Sequence, residues 1–127
     1  MTTQSQLSLG PLGQVSMLIR SAVKTEAWYR DVLGLPHVFT FGDLAFFDCD
    51  GTRLFLREVP DGEWRPSSIL YFLVPDIAEA HAALIRRGVT FLGAPHMIAK
   101  MPDHELWMAF FNDGEGNTHA LMQERRS

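Results

Sequence analysis

The chain has 127 residues, 46% of them hydrophobic, enough for one core and too few for two independent ones. A formal net charge of −4, a pI near 5.6 and no basic run longer than Arg125-Arg126 argue against nucleic acid as a partner. The first ten residues are polar, no stretch approaches the roughly 20 apolar residues of a membrane span, and Cys49 is the only cysteine, so a cytoplasmic protein is expected, with no membrane contact, intrachain disulfide or Cys-based zinc cluster.

Val15, Met17 and Ile19 alternate with Gln14, Ser16 and Leu18, the pattern of a strand with one face on a core. Ala27, Trp28, Val32 and Leu33 predict a helix over Thr25 to Leu33, with Gly34 as its cap and Pro36 preventing continuation. Three strands follow, at Val38 to Phe41, Leu44 to Cys49 and Arg53 to Val59, joined by turns at Gly42-Asp43 and Asp50-Gly51. Cys49, just before the second turn, reads as a small packed hydrophobe. Pro60 to Ser68, with two prolines and a glycine, reads as a linker.

The same order then recurs. Leu70, Phe72 and Val74 mark one face of a strand, Asp76 is placed to cap a helix running to Arg87, and Gly88 ends it. Strands are expected at Val89 to Leu92, Leu106 to Phe111 and Thr118 to Gln123, with Gly93 to Glu105 as a long loop. The expected organisation is one α+β domain made of two βαβββ modules, at about 12–59 and 69–124, with the linker at about 60–68.

Three signatures stand in order: Trp28-Tyr29-Arg30-Asp31-Val32-Leu33-Gly34-Leu35, Val74-Pro75-Asp76-Ile77 ahead of a helix ending in Gly88-Val89, and Asp113-Gly114-Glu115-Gly116-Asn117. Together they resemble the vicinal oxygen chelate superfamily, the glyoxalase, bleomycin-resistance and extradiol-dioxygenase group. The resemblance implies paired modules whose sheets curl into a cup with helices outside, a ligand or metal site within the cup, and a homodimer.

The resemblance also implies where a metal would be held. Counted from the motifs, the four ligand positions of the metal-dependent members fall on Gln14, Phe55, Ile69 and Ala120. Only Gln14 carries a coordinating atom, whereas a divalent cation needs several N, O or S donors. No cofactor is therefore expected, with a divalent metal as the alternative, since glyoxalase I enzymes resemble this chain in allowing Gln at the first position. A one-residue slip of the last strand would turn His119 inward in place of Ala120.

With those positions setting the parity, Gln14, Ser16, Arg53, Phe55, Arg57, Ile69, Tyr71, Leu73, Thr118, Ala120 and Met122 are expected to face the cup. This is an apolar, aromatic lining with a few polar handles, suited to a small organic ligand. Trp107 either joins the lining or belongs to the outer layer. Arg53 and Arg57 either clamp an anionic group of the ligand or pair with Asp48 or Glu58 at the strand edge. His104, beside Asp103 and Glu105, is a weak candidate for a general base, and a solvated polar turn before a strand accounts for the same residues. His81 and His37 read as surface or boundary residues, and Trp28 and Tyr29 as core. Two functions remain in view: a binding protein resembling the bleomycin-resistance branch, or a lyase, isomerase or dioxygenase of the same superfamily.

Overall fold

The computed structural model describes residues 7–126; of the polar opening stretch, residues 1–6 lie outside the described part. In β1 (Gln14–Ile19), Met17 and Ile19 are buried while Gln14 and Ser16 are exposed, the alternation expected of a half-buried strand. Pairing with β2 (His37–Phe41), β3 (Leu44–Cys49) and β4 (Thr52–Glu58) gives the order β1-β4-β3-β2, in which only β1 and β4 run parallel. Ala45, Phe47, Leu54 and Leu56 share the buried face with Met17 and Ile19. Burying each of the larger of these side chains contributes about 1.5–3 kcal/mol.

The first helix starts earlier than the sequence suggests. Ser21 accepts a hydrogen bond from the Lys24 amide, and the Glu58 carboxylate accepts one from the Ala22 amide at 2.7 Å, so α1 spans Ala22–Ala27. It continues as a π turn over Trp28–Val32, closed by the Leu33 amide donating to the Trp28 carbonyl at 3.1 Å. Tyr29, within this turn, is fully buried.

The second half repeats the plan with β5 (Leu70–Leu73), β6 (His96–Lys100), β7 (His104–Asn112) and β8 (Thr118–Arg126), in the order β5-β8-β7-β6 with β5 and β8 parallel. Asp76 caps α2 (Ile77–Arg86) by accepting from the Glu79 amide, and Gln123 takes the Ile77 amide as Glu58 takes that of Ala22. Two expectations are corrected here. The stretch Gly93 to Glu105 is not a continuous loop, because β6 lies inside it. Val89 to Leu92 forms no strand: Val89 is buried as its amide closes the end of α2, and only a single bridge joins Phe91 to Phe111.

The helix-bearing faces of the two sheets are turned toward each other. Trp28 packs against both cores, and Tyr29 touches Phe47 of the first sheet and His119 of the second, with ring centroids 5.8 and 5.7 Å apart. The two remaining faces point away from this shared core. The linker helps to join the halves: the Trp64 indole donates to the Leu18 carbonyl, and Arg20 lies over the Trp64 ring at 3.9 Å. Gly116 fits beneath that ring with φ of 100°, where an added Cβ would come within 2.8 Å of it. Gly116→Ala is expected to cost about 1–3 kcal/mol, through a disfavoured left-handed backbone and a displaced tryptophan. An unchanged urea midpoint for this variant would show that Trp64 does not hold the turn.

Candidate functional site

Strand register sets what each outward face presents. On the first sheet, Phe39, Phe46 and Phe55 stand side by side across β2, β3 and β4. Neighbouring rings stack with centroids 4.4 and 4.9 Å apart, inclined by 24° and 6°. Next in the same row is Ser16 on β1, paired with Phe55. Arg53 and Arg57 flank Phe55 on β4, and Gln14 pairs with Arg53.

Neither arginine has the carboxylate partner that the strand edge offers in principle. The Asp48 side chain accepts from the Gly51 amide within the hairpin turn, and Glu58 is engaged at the start of α1. Among the described residues no ion pair involves Arg53 or Arg57; the Arg53 guanidinium lies 5.9 Å from the centre of the Phe46 ring. The edge pairing considered from the sequence is not formed.

The outward face of the second sheet carries Tyr71 and Leu73 on β5, Thr118, Ala120 and Met122 on β8, and Met108 and Phe110 on β7. Ala120 is paired with both Tyr71 and Phe110, whose rings meet edge-on at 6.1 Å, and it has no exposed surface. Ile69, just before β5, is 39% exposed. A groove of about 800 Å³ follows the outer edge of β5, bounded by Ile69, Tyr71 and Leu73 on one side and by Leu35, Asp48 and Arg53 on the other. This volume lies within the usual range for small-molecule sites.

A divalent metal does not fit the four positions singled out by the sequence. Gln14 supplies one amide oxygen, and Phe55, Ile69 and Ala120 supply only carbon. Gln14 and Phe55 belong to the outward face of the first sheet, Ile69 and Ala120 to that of the second. The slip that would bring His119 outward does not occur, since Ala120 keeps its register with Tyr71 and Phe110. Trp107 is on the helix side, packed against the second core beneath Arg125, with its indole donating to Glu105. It therefore faces the helix layer and not the cup.

His104 opens β7 with its Nδ1 atom 2.8 Å from Asp103, which also binds Arg126 at 2.9 Å. His96 opens β6 opposite Met108, four residues along β7 from His104, a separation of about 13 Å in an extended strand. The two histidines do not form a dyad. Cys49 is half-buried against the first core, and burial raises its thiol pKa, which fits packing rather than reactivity.

Sequence reasoning missed a buried polar cluster where the modules meet. Tyr29 donates its hydroxyl hydrogen to Asp113 at 2.7 Å, so its oxygen is left to accept from the Nε2–H of His119, also at 2.7 Å. Asp113 further accepts from the Glu115 and Asn117 amides and from the Asn117 side chain. His119 Nδ1 then faces the core without a partner, among Phe72 and Phe111. Burial holds the His119 pKa down to about 4 against the partial opposition of Asp113, and lifts that of Tyr29 well above its usual value. Tyr29 and Asp113 both stand in quoted motifs, but nothing local links residues 84 positions apart.

The sequence pattern of the Glyoxalase/Bleomycin resistance protein/Dioxygenase superfamily matches residues 12–121. The chain belongs to that superfamily. No curated protein sequence matches it. Among solved structures, a member of the superfamily from Sphaerobacter thermophilus is 25% identical, with a TM-score of 0.73 over 93% of this chain and 100% of the other. An antibiotic-binding protein from a Streptomyces species is 20% identical, with a TM-score of 0.73 over 93% and 98%. Lactoylglutathione lyase from Agrobacterium tumefaciens is 18% identical, with a TM-score of 0.69 over 91% and 94%. The last two likenesses concern the fold alone. Among the described residues, no helix is long and apolar enough to cross a membrane.

Proposed function

We propose that this member of the superfamily binds a small organic molecule, without the metal used by other members, between the outward face of the first sheet in one chain and that of the second sheet in a partner chain. The observation that carries the reading is the face of the first sheet: a row of aromatic rings flanked by two arginines that no carboxylate engages. Such a face offers apolar area with a few charged handles, as small-molecule sites do. The opposite face, with Tyr71 46% and Leu73 69% exposed, supplies apolar surface of the kind that association covers. A second copy set against these faces would close the cup.

Sedimentation at micromolar concentration should give a species of twice 14.3 kDa; a lone monomer would leave each cup half-built and count against the reading. For a ligand found by thermal-shift screening, Arg53→Ala and Tyr71→Ala should each weaken binding about fivefold or more, the loss expected of roughly 1 kcal/mol. If neither substitution alters affinity, the ligand binds elsewhere.

A further inference from the structure

The row of rings on the first sheet stops at a particular place. Stacking places each ring plane across the row, so both faces of the Phe46 ring are covered, by Phe39 and by Phe55. Among the described residues, Phe46 is the only ring stacked on Phe55. On its other side the next strand, about 4.8 Å away, carries Ser16, whose exposed side chain is too small to continue the stack. The spacing between strands is close to one ring-to-ring stacking distance, so a flat ring lying above Ser16 would extend the row by one member.

The second sheet shows what happens when the protein fills such a gap itself. Ala120 is equally small, but Tyr71 and Phe110 lean across it, meet edge-on and leave it no exposed surface. Among the described residues none does this above Ser16, which stays exposed. Its surroundings are polar instead: Gln14 precedes it on β1, and Arg53 and Arg57 lie on either side of Phe55 on β4. Asp48 stands opposite Arg53 on β3 but is turned to the Gly51 amide, and among the described residues no ion pair engages either arginine, so these guanidinium groups are available to an anionic group of a ligand, to which a guanidinium can present two parallel N–H donors.

We propose that a planar aromatic compound bearing an acidic group stacks on the uncovered face of Phe55 above Ser16, with its anionic group held by Arg53 or Arg57 and Gln14 available to its remaining polar atoms. This names the ligand class of the site and rests on the reading that the outward face of the first sheet lines the cup. Ser16 then sets specificity: its small side chain admits the ring.

The test uses 2-naphthoate as probe, with 2-naphthamide as the neutral aromatic and cyclohexanecarboxylate as the non-aromatic anion, binding being followed on the native protein by amide chemical-shift changes. Naphthoate should bind at least tenfold more tightly than either control, with the largest shifts at Ser16, Phe55 and their strand neighbours. Ser16→Phe completes the stack from within and should reduce naphthoate affinity at least tenfold. Because residue 16 is exposed, this variant should keep its circular dichroism and melting temperature. Arg53→Gln with Arg57→Gln should erase the preference for acid over amide while leaving naphthamide binding unchanged. Naphthoate binding that survives Ser16→Phe within twofold, or that shows no preference over the controls, overturns the proposal. In that event, shifts confined to other residues of the outward faces would leave the cup reading standing, and shifts on neither face, or no binding at all, would remove both.

Discussion

Asp113→Ala should lower the stability of the folded protein by about 3–5 kcal/mol, the loss expected when one member of a buried, hydrogen-bonded charged network is removed. Asp113 is 3% exposed and accepts four hydrogen bonds, from the Tyr29 hydroxyl, the Glu115 and Asn117 amides and the Asn117 side chain. Its removal strands all four donors and loosens the tie between the π turn that carries Tyr29 and the second sheet. Glu115→Ala serves as the comparison. Glu115 accepts from the Arg20 amide at 2.6 Å, but in an exposed setting, and should cost under about 1 kcal/mol. Urea denaturation of the two variants separates these effects. Comparable losses from both would mean that the buried cluster is no more than another surface contact.

Stability should also fall with acid in a window set by His119. Its ordinary pKa of 6.5 is depressed to about 4 in the folded chain, so above pH 6.5 the residue is neutral in both states and its contribution is complete. As the pH falls from 6.5 toward 4, the unfolded chain takes up a proton that the folded chain refuses, and the folding equilibrium shifts toward unfolding. The full difference is on the order of 3 kcal/mol, and below pH 4 this residue adds no further loss. The refusal follows from geometry: a proton on Nδ1 would place a charged N–H in the core with no acceptor, while Tyr29 and Asp113 lie on the Nε2 side of the ring. His119→Gln should flatten the dependence over this window, measured by denaturant titration at successive pH values. An equally steep acid dependence in the variant would assign it to other groups.

Much of the fold was legible because its signals are local. Alternation in β1, β3 and β4 marks the buried face directly, and Asp76 and Gly88 bracket α2 as caps do. β6 escaped notice because it is an edge strand, mostly exposed, whose register shifts between Met97 and Ala99 and so breaks the period of two. Trp107 was ambiguous for a related reason. Leu106, Met108 and Phe110 are apolar, and so are Trp107, Ala109 and Phe111, so the pattern in β7 does not say which face meets the helices.

The sequence by itself determined the superfamily, the two-module plan and the lack of donor atoms at Phe55, Ile69 and Ala120, because motif spacing and residue chemistry are properties of the chain alone. Tertiary structure decided that the helix-bearing faces meet, that Tyr29 joins Asp113 and His119, and that Arg53 and Arg57 stand without carboxylate partners beside a row of rings ending at Ser16. Each of these depends on which distant surfaces come into contact. Periodicity tells a strand which of its faces to bury, but not against what, and that choice is made by the packing of one module on the other.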